Sequence, residues 1–227
     1  MKIIEQGILK EICKVIHSSL EGEMNNHKQY LVQLGCESAS VLLEDNEESF
    51  PFAVESGGII DETISILNKL PIENINEFHI ILLIDLVNSI NNEQIKILVE
   101  KGILKVINKT LNSENEEVLD NSTFILMKIF YGIGELEGEG KPNPLLIEME
   151  KDGTLTKLIE IFKNDKYKDK ETNTQAACSI GLLFKAIPIP TEIGSQIIIH
   201  IKDNIENDSA QNFVQSFATL SFLVECK

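Results

Sequence analysis

Asp85 is the residue most suggestive of chemistry, a lone carboxylate inside the apolar run His79-Ile80-Ile81-Leu82-Leu83-Ile84-Asp85-Leu86-Val87. At helical spacing it shares a face with Phe78, Ile81, Asn88 and Asn92. Burying an unpaired charge is expensive, so this face is expected to meet solvent or a partner. Two readings stay open: a stripe that contacts a peptide or a basic side chain, and an ordinary solvated helix face. The four histidines, His17, His27, His79 and His200, are scattered, and none stands in metal-ligand spacing with another histidine, a cysteine or an acidic pair. His79 lies within sequence reach of Asp85, but no nucleophile accompanies them. The sequence has no GxSxG, no HExxH and no glycine-rich phosphate loop between a strand and a helix. The glycines from Gly132 to Gly140 are interspersed with acids, which would repel phosphate, and the pairs Glu47-Glu48 and Glu116-Glu117 read as solvated turns. A non-catalytic chain without metal or cofactor is the expectation.

Composition narrows the partners. The 227 residues include no arginine and no tryptophan, so all 20 basic residues are lysines. The bidentate guanidinium clamps that grip phosphate and carboxylate are therefore missing. A formal net charge of −16 argues against nucleic acid, which needs clustered cations. It would suit a basic protein or peptide, and it also serves solubility. Cys13, Cys36, Cys178 and Cys226 are widely spaced and read as small buried hydrophobes in a reducing compartment. The N-terminus shows no secretory pattern, and the longest apolar run, Ile80 to Val87, is too short to span a bilayer. The expected chain is soluble, cytoplasmic or nuclear, with no membrane partner.

The elements that would position Asp85 are helices. Gly7 to Leu20 carries Ile8, Ile12, Val15 and Ile16 on one face. A longer helix, Gln29 to Leu43, follows, and an acidic loop from Glu44 to Ser49 closes the unit. From Gly58 the scheme restarts: Ile59 to Leu70, a turn from Pro71 to Asn76, then Glu77 to Ile90. The clearest copy is Gly102 to Tyr131, with a short apolar-faced helix, a polar turn at Asn112 to Glu116 and a longer helix after it. Gly132 to Pro144 reads as a surface loop. Gly153 opens a fourth unit, with helices at Thr154 to Asn164 and Lys170 to Ala186, stopped by Pro188 and Pro190. A last unit begins near Ser195, with helices at Ile197 to Ile205 and Ala210 to Glu225. In that last helix Phe213, Phe217, Leu220, Phe222 and Leu223 either complete the core or await a further unit or a partner. No stretch alternates with period two, so strands are not expected.

Glycines at 7, 58, 102 and 153 mark spacings of 51, 44 and 51. The order glycine, helix, polar turn, longer helix, short helix ending in V-E-x-G resembles armadillo repeats, whose units, like HEAT units, run to about 40–47 residues. Ile97-Leu98-Val99-Glu100-Lys101-Gly102-Ile103 looks like the family's repeat junction, and Phe52 to Ile59 is a second copy. Gln175-Ala176-Ala177-Cys178-Ser179-Ile180-Gly181-Leu182-Leu183 is similar to its third helix, whose small residues permit close approach.

The resemblance implies an all-α, right-handed α-solenoid of four to five armadillo-like units in one domain, at about 1–56, 57–101, 102–152, 153–194 and 195–227. It also implies that third helices line a concave face where a peptide segment or protein domain binds. In import adaptors of the family that face carries a ladder of Trp and Asn for basic peptides. Here the Asn positions fall on Asn88, Lys128, Leu182 and Phe222, and the Trp positions on Ile84, Phe124, Cys178 and Ala218. Only Asn88 matches, and a lysine on the ladder would repel a basic ligand, so an import receptor is disfavoured. The partner-binding residues expected are Asp85, Asn88 and Asn92, with Asn121, Phe124 and Lys128 from the next third helix. The leading expectation is a protein-binding scaffold. Alternatives are an armadillo-type nucleotide-exchange factor for a heat-shock chaperone and an armadillo module binding a small GTPase.

Overall fold

The computed structural model describes residues 2–44, 50–55, 58–167, 171–207 and 210–226; the loop expected after Glu44 and the pair Glu47-Glu48 lie outside them. Among the described residues every regular element is helical and no strand occurs. The chain divides into two compact units, 1–125 and 126–227.

The first unit holds α1 (Lys2–Ser19), α2 (Asn26–Leu43), α3 (Phe50–Ala53), α4 (Ile59–Lys69), α5 (Ile81–Ser89), α6 (Asn92–Glu100), α7 (Ile103–Thr110) and the start of α8 (Glu116–Glu137). Its helices form two layers. In one, α1 packs on α4 and α4 on α7; in the other, α2 packs on α5. The core between them is aliphatic: Ile16, Val32, Ala39, Ile60, Ile66, Leu67, Leu82 and Leu83 are fully buried. Each helix pair alone would leave this surface wet, so stacking one pair on the next supplies the stability.

Local chemistry sets the helix ends. The Asn25 side chain caps α2 by accepting from Lys28 N at 3.0 Å. Asn91 and Gln94 form a reciprocal capping box at the start of α6, each side chain accepting from the other's backbone amide at 3.0 Å. At the end of α4, Lys109 Nζ of α7 donates to the carbonyls of Leu67 and Leu70, both at 2.6 Å, satisfying acceptors the helix leaves open. Gly102 takes φ 89° between α6 and α7, and Gly153 takes φ 87° at the equivalent corner of the second unit, a region costly for residues with a Cβ.

Several boundaries differ from those read in the sequence. α1 begins at Lys2, so Gly7 lies inside a helix. Gly58 is extended, with φ −79° and ψ −178°, at the N-cap of α4. The single helix expected from Glu77 to Ile90 is broken into a 3-10 turn, Glu77–His79, and α5. The reason is that His79 Nδ1 accepts the amide of Asn76 at 3.1 Å, a side-chain bond that closes the turn.

The second unit holds the rest of α8, then α9 (Leu146–Lys151), α10 (Thr154–Lys163), α11 (Glu171–Leu183), α12 (Thr191–Asn207) and α13 (Ala210–Leu223). α12 starts ahead of the expected Ser195. α10, α12 and α13 all pack on α11, and every residue from Thr172 to Leu183 is buried. The predicted Gly132–Pro144 loop is half helix, because α8 continues to Glu137. A glycine costs a helix only about 1 kcal/mol, and packing overrides it: a Cβ on Gly134 would stand 2.6 Å from the Phe222 ring. Gly181 of α11 is similarly close to α13, with Thr219 Cγ2 2.4 Å from where its Cβ would be.

Candidate functional site

Of the residues expected to bind a partner, Asp85 and Asn88 share α5, and Asn121 and Phe124 share α8. Asp85 is half-buried on α5, and its carboxylate Oδ2 accepts from Ser40 Oγ on α2, so the charge is met by the neighbouring helix of its own layer. Ser89 Oγ donates to the Asp85 carbonyl at 2.7 Å, an internal bond of α5. One turn along, Asn88 is exposed, while Leu82, Leu83, Leu86 and Val87 beside it are buried. Asn92 does not share this helix. It is the first residue of α6, because the Asn91 capping box starts a new helix there.

On α8, Asn121 and Phe124 are half-buried and one turn apart, between the buried Ser122, Thr123 and Ile125. Ser122 Oγ lies within hydrogen-bond distance of Val118 O at 2.6 Å and of Thr110 Oγ1 at 2.7 Å, the second contact tying α8 to α7. Asn115 caps the helix, accepting from Glu117 N at 2.9 Å. On α5, then, Ile81, Ile84, Asp85, Asn88 and Ser89 keep some accessibility, and on the first-unit part of α8 Asp120, Asn121 and Phe124 do, while the residues between them are buried.

Lys128, one turn beyond Phe124, belongs to the second unit. It is half-buried, and burial holds its ammonium below the usual lysine range. It stands beside Tyr131, whose phenol is pushed up first by burial and then by the Glu135 carboxylate. Tyr131 stacks on Phe222 with ring centroids 5.7 Å apart. With Leu182 of α11 and Val214, Gln215 and Ala218 of α13, these residues line a pocket of about 120 Å³. The ladder positions Cys178, Leu182 and Phe222 are buried, so α11 presents no exposed rung of the kind the resemblance implies. The last-helix aromatics divide: Phe222 joins the core, whereas Phe213 and Phe217 stack on each other at 6.2 Å and stay exposed.

Two polar groups escaped the sequence reading. Lys185 is only 1% exposed, and its Nζ donates to Gly138 O at 2.5 Å and Lys141 O at 3.3 Å. It pairs with Glu225 at 3.2 Å and lies 4.9 Å from the Phe222 ring centroid. Glu225 also accepts from Gly140 N at 2.8 Å, so the cation and its acid pin the 138–141 loop to the end of α13. Asn143 is buried; its Nδ2 donates to Phe130 O at 2.9 Å and Leu182 O at 3.2 Å, bridging α8 and α11. A lysine ending the apolar run Ile180 to Phe184 is the same kind of signal that drew attention to Asp85.

His79 is buried with its pKa lowered to about 4 by desolvation, and its ring is engaged with Asn76. His200 sits edge-on to Phe162 at 5.6 Å and within 3.2 Å of Thr174 Oγ1. Both have structural surroundings. Among the described residues no group of three or more His, Cys, Asp or Glu is placed to hold a metal, and no helix is long and apolar enough to cross a membrane.

No protein-family model matches the sequence, and no curated protein matches it either. Solved structures do. A designed armadillo repeat protein aligns over 95% of this chain and 83% of its own, with TM-score 0.62 and 16% identity. A computationally designed armadillo protein for modular peptide recognition aligns over 96% and 83%, with TM-score 0.63 and 16% identity. A third designed armadillo protein, solved with the peptide (KR)4, aligns over 94% and 99%, with TM-score 0.56 and 14% identity. The likeness is one of fold, an all-α armadillo-like repeat solenoid.

Proposed function

We propose, on the premise of that armadillo-like repeat fold, that the chain is a non-catalytic scaffold whose third helices hold a peptide segment or a protein domain. The observation that carries this is the accessible strip on α5 and α8. Asn88 is exposed and Asp85, Asn121 and Phe124 are half-buried, on helices that also carry the buried residues Leu82, Leu83, Leu86, Ser122, Thr123 and Ile125. Polar amides beside an aromatic ring suit a peptide backbone and its side chains, with amides pairing to the backbone and the ring covering apolar surface. Neighbours in fold that were designed for peptide recognition support the same reading. The net charge of −16 favours a basic partner for the strip that contains Asp85. The free thiols Cys13, Cys36, Cys178 and Cys226 suit a reducing compartment, which supports a cytoplasmic or nuclear location.

The test is affinity purification from the native cell with the wild-type chain and three variants. Asn88→Arg and Asn121→Arg place bulk and positive charge on the strip, and Lys105→Glu alters an exposed residue of α7 as a control. A partner recovered by the wild type and the α7 variant, and lost from both strip variants with unchanged circular dichroism, is the expected outcome. Equal recovery by all four proteins overturns the proposal.

A further inference from the structure

The pocket on the second unit has a chemistry of its own. Leu182 forms its floor, Ala218 is small enough to leave the space open, and Val214, 65% exposed, stands at the rim. Tyr131 forms a wall that Phe222 backs through ring stacking, so the pocket is supported by core rather than by loose surface. A cavity of about 150 Å³ with aliphatic walls takes up a molecule the size of benzene. At about 120 Å³ this one fits a branched aliphatic side chain and excludes an indole.

Among the described residues that line it, Lys128 alone carries a charge. Its ammonium is poorly hydrated, which is why its proton is held less firmly than usual. A carboxylate arriving there meets weaker screening than at open surface, and attraction is correspondingly greater. Gln215 and the Tyr131 hydroxyl add neutral donors and acceptors at the same site. The acids Glu135, Glu139 and Glu225 line a depression at the 138–141 loop, and Glu135, which also acts on Tyr131, would turn a carboxylate away from that end. A lysine or arginine of a ligand would meet like charge at Lys128.

We propose that this pocket is an anchor for a linear peptide that presents an aliphatic side chain next to an aspartate or glutamate. The aliphatic group enters between Tyr131, Leu182 and Ala218, and the carboxylate sits on Lys128. The inference rests on the reading of the third helices as a peptide-binding surface. It assigns to the second unit a ligand opposite in sign to the one the net charge suggests.

The test is selection of a random nonapeptide display library on the full chain, run in parallel on wild type, Lys128→Glu and Ala218→Trp. Fluorescence anisotropy on a fluorescein-labelled copy of the most enriched peptide then gives affinities. Wild type is expected to enrich leucine, isoleucine or methionine adjacent to aspartate or glutamate. Lys128→Glu is expected to exchange the acid for lysine and weaken the wild-type peptide at least about tenfold, the order of a single charge-assisted contact. Ala218→Trp fills the pocket and is expected to abolish enrichment; Val214→Glu, at the exposed rim, gives the same loss without touching the core. Enrichment of lysine-containing peptides by wild type, or of the same peptides by all variants, overturns this inference and leaves the wider reading standing. No enrichment by wild type also overturns it, and the fate of the wider reading is then decided by the partner-recovery comparison of Asn88→Arg and Asn121→Arg.

Discussion

His79 should make the first unit sensitive to acid. The ring is 3% exposed, and Nδ1 accepts the Asn76 amide, so the neutral tautomer carries its proton on Nε2, which is buried without a partner. Adding a second proton would displace the Asn76 bond and charge a desolvated ring, and the pKa falls from 6.5 to about 4. As pH drops, the unfolded chain therefore takes up this proton before the folded one does. The stability associated with His79 is complete above the unfolded value and is lost as pH falls from about 6.5 towards 4. By about pH 4.5 the loss amounts to about 2–3 kcal/mol. His79→Asn keeps an acceptor for the Asn76 amide and removes the titration. Urea denaturation of both proteins at about pH 7.5 and about pH 4.5 isolates the effect from the many carboxylates, which act on both alike. Wild type should lose about 2–3 kcal/mol more than the variant. Equal losses, or a His79 resonance titrating near its ordinary value in the folded chain, would refute the reasoning.

Lys185→Met strips Gly138 O, Lys141 O and Glu225 of their shared cation and should destabilise the second unit by about 3–5 kcal/mol in urea. Adding Glu225→Gln should recover part of that, because the stranded acid is removed. Gly181→Ala puts a methyl 2.4 Å from Thr219 Cγ2 and should cost about 1–3 kcal/mol. Thr219→Ser in the same chain should restore most of it, read by thermal melting. Burial raises the thiols of Cys13 and Cys178 to about 11 and of Cys36 to about 12. A thiol-reactive dye at about pH 8 should therefore label Cys226 first and the other three only on unfolding, as peptide mapping would show.

How much of this was legible depends on which force decided each position. Gly102 and Gly153 open their helices as the repeat pattern implies, because a positive φ is a local demand that residue type reveals. Gly7 and Gly58 look the same in the sequence and do different work. One lies inside α1, and the other is small because a Cβ would stand 2.7 Å from Glu55 O. Gly134 sits in a helix the composition read as loop, since the close approach of Phe222 is a tertiary fact. The break before α5 was hidden for a similar reason: HIILLIDLV is helical by pattern, and a single side-chain bond from His79 ends the preceding turn. Asp85 was found by its oddity, and the same oddity at Lys185 passed unremarked. Asn92, expected on the same helical face as Asp85 and Asn88, belongs instead to a new helix nucleated by its neighbour Asn91. The second-unit pocket depends on α13 meeting α11, a pairing no local pattern encodes.

Site-specific photocrosslinking compares the strip with the α1–α4–α7 layer most directly. A benzophenone amino acid in place of Asn88 on α5, and in a separate protein in place of Lys105 on α7, is irradiated with the recovered partner bound. The account predicts a covalent adduct from position 88 and none from position 105. An adduct from position 105 alone would place the partner on the layer of α1, α4 and α7 and contradict it.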